Sequence, residues 1–122
     1  MEALPVIRIA LLPSLSETEA KEMFDKLMHC LTRKIPFIRS ENDVIIDMCA
    51  HIYAKRPTGE FTTIPRNLLV NVTSNKDPRK VGEVTCTFFH EIFPQSGIQC
   101  RAESNDRHLE VWTWRVEPKN PR

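Results

Sequence analysis

The chain has 122 residues, 41% hydrophobic and 27% charged, and its 17 basic and 16 acidic residues leave a formal charge of +1. That length supports one domain with a real core, and the near-neutral balance argues against a nucleic-acid binder that works through surplus positive charge. No apolar run approaches the roughly 18 residues of a membrane span, and the amino-terminal MEALPVIRIALLPSLSE lacks a basic start, so a cytoplasmic protein with no membrane segment or secretory signal is expected.

Residues Val6 to Leu12 alternate as a strand, with Ile7, Ile9 and Leu11 on one face and Val6, Arg8 and Ala10 on the other; Pro13 stops it. Ser16-Glu17-Thr18-Glu19 is a capping box that opens a helix. Its apolar row is Ala20, Met23, Phe24, Leu27, Leu31 and Ile35, Arg33 and Lys34 sit at the end that favours cations, and Pro36 closes it.

Val44 to Lys55 (VIIDMCAHIYAK) fits two periods. Every second residue, Val44, Ile46, Met48, Ala50, Ile52 and Ala54, is apolar, whereas Ile45, Met48, Cys49, Ile52 and Tyr53 also align at helical spacing, with Ser40 and Asp43 available as caps. Three successive β-branched residues and a clean alternation favour strand. Asp47, Cys49, His51, Tyr53 and Lys55 then share one face, where His51 is a candidate acid or base beside Tyr53 or Asp47. A subunit interface or solvated face is the plainer reading of that row.

RPTGEFTTIPRN reads as a loop, and Asn67 to Ser74 as a central strand, which leaves the sequon Asn71-Val72-Thr73 without a glycosylation role. Asp77-Pro78 starts a second helix, with Asp77 as an acidic cap and Val81, Val84, Thr85, Phe88 and Ile92 as its buried face, up to Pro94 and Gly97. A strand from Ile98 to Glu103, a turn at Ser104-Asn105-Asp106, a last strand from His108 to Val116 and a loose tail follow. Trp112 and Trp114 share a strand face; core or oligomer contact is the expected role, not base stacking.

Four widely spaced cysteines, Cys30, Cys49, Cys86 and Cys100, form no CxxC pair and are expected as free, buried thiols. Cys86 and His90 lie four apart on the second helix, on the side expected to face away from the sheet, and no metal or other cofactor is expected.

The order is β-α-β, loop, β-α-β-β: an α+β, duplicated β-α-β two-layer sandwich with both helices on one face of a mixed sheet. As one domain it divides into a first unit (residues 1–56), a loop (57–66), a second unit (67–117) and a tail (118–122). Right-handed crossovers make the strands within each unit parallel. The other sheet face is expected to be apolar, through Ile7, Ile9 and Leu11 or else Val44, Ile46, Met48 and Ile52, and to be covered by oligomerisation.

PVIRIALLPSLSETEAKEMFDKL, RKIP, DVIIDM and LLVNVTSNKDPRKVGEVTCTFFHEI resemble, in that order, successive parts of the tautomerase superfamily, which includes macrophage migration inhibitory factor and carboxymethyl-hydroxymuconate isomerase. The resemblance implies a homotrimer, an amino-terminal proline as base, and a keto/enol acid as substrate. It maps the proline to Pro5 and the basic residue after the first helix to Lys34, and it leaves Asp43 near the place of the family's second-strand arginine. Pro5 is preceded by Met-Glu-Ala-Leu, and a mid-chain proline nitrogen is an amide without a basic lone pair. The expected function is therefore a divergent, non-catalytic or weakly catalytic oligomeric protein. The alternatives are an isomerase activated by processing to Pro5 and a ferredoxin-like nucleic-acid-binding module. The candidate site comprises Pro5, Lys34, His51 and Tyr53 for chemistry and Arg8 and Lys55 for a small carboxylate ligand.

Overall fold

In the computed structural model, residues 3–12, 15–50, 67–105 and 110–119 are described. Strand β1 (Val6–Leu12) leads to helix α1 (Glu17–Lys34), one 3-10 turn (Glu41–Asp43) and strand β2 (Ile45–Ala50). Strand β3 (Asn67–Thr73), helix α2 (Pro78–Ile92), strand β4 (Gly97–Glu103) and strand β5 (Val111–Val116) complete the order. The strands form one sheet, β2-β1-β3-β4-β5. β1 pairs parallel with β2 and β3 parallel with β4, while the β1–β3 and β4–β5 seams are antiparallel. Two β-α-β units thus lie side by side, as their repeated pattern predicts.

This topology overturns the ferredoxin-like alternative. A split β-α-β unit needs a further strand between the two it connects, whereas here β1 and β2 are hydrogen-bonded neighbours, as are β3 and β4.

The capping box at α1 forms in full: the Ser16 Oγ accepts from the Glu19 N–H and Glu19 Oε1 from the Ser16 N–H, each at 3.1 Å. The backbone hydrogen bond from Ser16, and then that from its side chain, hold the Glu19 carboxyl below its ordinary value. A depressed carboxyl stabilises the fold above its unfolded pKa, and that contribution is lost as pH falls through the folded one. Ser40 and Asp43 make a second capping box, but on the single 3-10 turn. Val44 leaves it in extended conformation, so the ambiguous stretch is strand as far as Ala50. Its remainder, like the expected loop at 57–66, lies outside the described residues.

At α2 two expectations change. Pro78 is the first helical residue, but Asp77 makes no side-chain cap; it adopts a left-handed conformation (φ 41°, ψ 52°) that an acidic residue tolerates better than most. The buried face is also turned. Val81, Gly82, Thr85, Cys86 and Phe89 lie on the sheet, while Val84 and Phe88 are half-buried and Ile92 is exposed at 38%. Phe88 and Ile92 line a groove shared with Leu15 and Met23, so α2 has two apolar edges, one toward the sheet and one toward α1. Cys86 therefore faces inward, and it is joined to Cys100 of β4 as a disulfide, which replaces the expected free thiols. Cys30 and Cys49 are free, and Cys49 is exposed.

Ile7, Ile9, Val70, Val72, Ile98 and Cys100 point to the helices and are essentially inaccessible, as are Leu27, Leu31 and Phe89 above them. Val44 is buried too, with Ile46 and Met48 packed against this core. The expectation of an apolar open face is thus overturned, although the Leu11 side chain and the whole of Ile52 lie outside the described residues. The open face carries Val6, Arg8 and Ala10 of β1, Asp47 of β2, Asn71 of β3 and Arg101 of β4 instead. The cause is the two-residue period: the helices cover the more apolar row of each strand, and the polar row is left outside.

Trp112 and Trp114 are half-buried against the core, on the helix side of β5. The Trp114 ring fills the space that a side chain at Gly82 would occupy, and Arg79 lies over that ring, 5.7 Å from its centroid. A Cβ at position 82 would meet Trp114 Cη2 at 2.7 Å and Cζ2 at 3.3 Å. In an unconstrained helix Gly→Ala gains up to about 1 kcal/mol. Here Gly82→Ala is expected to destabilise the protein by about 1–3 kcal/mol through overpacking. Urea unfolding of G82A beside a G82A/W114F double variant checks this: trimming the ring should restore part of the loss, and a more stable G82A would contradict the packing.

Candidate functional site

β1 and β2 run in the same direction, so the return path through α1 brings its last turn back to the end where both strands begin. β3 runs the opposite way, and its exit, the segment Ser74-Asn75-Lys76, reaches that same end. A cavity of about 150 Å³ lies there, lined by Leu4, Pro5, Phe37, Asp43, Asn75 and Lys76 among others. Pro5 is buried, and its carbonyl accepts from the Ile45 N–H at 2.9 Å, which ties the residue to the start of β2.

The groups around Pro5 are held by short local bonds. The Asp43 Oδ2 accepts from the backbone N–H groups of Arg39 (2.9 Å) and Ser40 (3.2 Å), so this carboxylate closes the 3-10 turn. Ser74 Oγ donates to the Lys76 carbonyl at 2.7 Å and accepts from the Lys76 N–H at 3.2 Å, a tight turn that sets Lys76 at the cavity. The space is smaller than the roughly 300–1,000 Å³ of sites that enclose a drug-sized ligand.

The expected site residues do not converge. Pro5 lines the cavity, but Lys34 is exposed on the last turn of α1 and is not among its lining residues. The cation that lines the cavity with Pro5 is Lys76, which stands between the expected strand end at Ser74 and the expected helix start at Asp77-Pro78 and is not among the candidate site residues. Its signal was positional: a strand exit and helix entry at one sheet end is where loop side chains gather. Arg8 projects from the open face, with its Nε 3.9 Å from Asp47 Oδ2. His51, Tyr53 and Lys55 lie outside the described residues.

Among the described residues no three His, Cys, Asp or Glu side chains cluster as a metal site. Cys86 is committed to Cys100, so Cys86 and His90 are not a thiolate–imidazole pair.

Asp47 has a second partner. The Cys49 thiol donates to its Oδ1 at 3.6 Å. Desolvation, and then the hydrogen bond to Asp47 and the carboxylate's charge, push the Cys49 thiol up, while Arg8 opposes them. Because the thiolate is the reactive form, Cys49 should alkylate slowly for an exposed cysteine. Iodoacetamide kinetics at pH 7.4 should show D47N reacting faster than the parent chain and R8Q slower; equal rates in all three would refute this control.

No family model matches the chain, and no curated protein matches it. Among solved structures it is similar to a macrophage migration inhibitory factor-like protein from Entamoeba histolytica, at 11% identity and a TM-score of 0.48, over 98% of this chain and 83% of that one. The likeness is one of outline, and no family membership follows from it.

Proposed function

We infer that the chain is a non-catalytic or weakly catalytic protein that works as an oligomer. The observation that carries this is the state of Pro5. Its nitrogen is acylated by Leu4, Leu4 itself lines the cavity, and resonance removes the lone pair a base would need. The ionisable groups lining that cavity are Asp43, whose carboxylate is held by two backbone N–H groups, and Lys76, which supplies a cation.

The test is the enol–keto interconversion of phenylpyruvate. The uncleaved chain should stay below about 100-fold over buffer, whereas a chain cut to begin at Pro5 should gain measurable activity. Turnover by the uncleaved chain at about 100-fold or more above buffer, the least that a positioned acid–base group contributes, would overturn this reading. His51→Ala would then be the first variant to examine.

For assembly, the support comes from the sheet edges. β2 and β5 are the outer strands and run in the same direction. Ile45 (49% exposed) and Val111 (45% exposed) stand at opposite ends of one cross-sheet row, Ile45-Val6-Thr73-Glu103-Val111. Head-to-tail pairing of β5 on β2 of the next copy would bring these two residues together and satisfy both edges, and such a contact forms a ring where its rotation closes. A ring of three, the number the tautomerase resemblance implies, should scatter light as a particle about three times the 14.2 kDa chain mass. Val111→Lys should shift it toward monomer, and a parent chain that is monomeric at micromolar concentration would sink the ring.

A further inference from the structure

We propose that the open face of the sheet carries an oxyanion-binding site, centred on Asn71 and flanked by Arg8 and Arg101. Register alone aligns these residues. Arg8 is paired with Asn71 across the β1–β3 seam, and Asn71 with Arg101 across the β3–β4 seam. The row continues to Asp47 on β2 and Thr113 on β5, so five polar residues cross the sheet in one line.

Two strand spacings, roughly 9–10 Å, separate the Arg8 and Arg101 backbones. Long side chains starting that far apart can lean toward a common point above Asn71. A cavity of about 240 Å³ lies there, lined by Arg8, Asn71 and Arg101 with Val6, Thr73 and Glu103. Its ionisable groups are two guanidinium ions and one carboxylate, an excess of one positive charge in a chain that is nearly neutral overall.

The existing ion pairs leave both guanidinium groups available. Arg8 reaches Asp47 only at 3.9 Å, from the side away from Asn71, and both side chains are more than half exposed. Arg101 Nη2 meets Glu103 Oε2 at 3.4 Å, again with an exposed guanidinium. Pairs of this length and exposure are weak and screened. A guanidinium presents parallel N–H donors that match the two oxygens of a carboxylate or phosphate, and the Asn71 amide and Thr73 hydroxyl can add neutral donors from the same central strand. The site would hold the oxyanionic end of a small molecule, with the rest in solvent. The proposal invokes neither the edge pairing nor the chemistry at Pro5, so it stands or falls apart from both.

The experiment is an NMR titration of the ¹⁵N-labelled full chain with sodium phosphate and, separately, with succinate at matched ionic strength. Backbone shifts should centre on Arg8, Asn71 and Arg101, and tighter binding of one anion identifies a phosphoryl or a carboxylate ligand. Arg101→Gln should weaken binding by about 10-fold or more, the scale of one charge-assisted contact. Glu103→Gln should tighten it by about 2-fold, since it removes a competing carboxylate of surface strength. Shifts centred elsewhere, unchanged affinity in R101Q, or weaker binding in E103Q would overturn the site.

Discussion

The antiparallel seam between β1 and β3 is the contact on which the rest of the molecule depends. Each β-α-β unit can pair its own strands, but only this seam makes one sheet of two. Ile7 faces Val72 and Ile9 faces Val70 across it, all four essentially inaccessible, and they form the centre of the layer on which the helices rest. Burying such a side chain stabilises a fold by about 1.5–3 kcal/mol. The seam also sets the register of the opposite face, because a shift of one residue would exchange the two rows of side chains. Arg8 stands beside Asn71 because Ile9 stands beside Val70.

Much of this was legible in the sequence because local chemistry and tertiary packing agree. Ser16 and Glu19 announce α1, and the structure closes that capping box with both bonds. Val44-Ile45-Ile46 outweighs the helical coincidences after it, since a β-branched run fits a pleated surface better than a helix turn. Other features depended on neighbours that one chain segment does not reveal. Phe88 and Ile92 are apolar, but they lie toward α1, and Gly82 carries no hydrophobic signal although it marks where Trp114 packs. Cys86 and Cys100 belong to different elements, and only the crossing of α2 over β4 brings their sulfurs together.

The open face was misread for a related reason. Both rows of β1 contain apolar residues, and the helical layer covers only one. Placing Ile7, Ile9 and Leu11, or else Val44, Ile46, Met48 and Ile52, on the face away from the helices gives an apolar row to the open side, the opposite of what burial selects at Ile7, Ile9 and Val44. With the polar row outside, the described residues of the sheet present no broad apolar surface that demands a partner, so pressure toward association falls on the edges of β2 and β5, which pair with no further strand among the described residues.

Pro5 shows how a residue can match a catalytic pattern for structural reasons. Proline gives no N–H to a ladder and is tolerated at the first residue of a strand. β1 is flanked on both sides, and Pro5 stands immediately before its first paired residue, Val6. Its carbonyl still serves the β2 side through the Ile45 N–H. On the other side the next register position is Ser74, which by the ordinary alternation of a strand faces β4 and donates its N–H to the Glu103 carbonyl at 3.0 Å. A strand residue turns its N–H and C=O to the same side, so the donor that Pro5 lacks belongs to the β2 seam, where the described strand begins only at Ile45, while β3 runs on into Ser74-Asn75-Lys76 and the start of α2. Pro5 thus has a structural reason to stand at the end of the sheet, lining a small cavity, whether or not its nitrogen ever acts as a base.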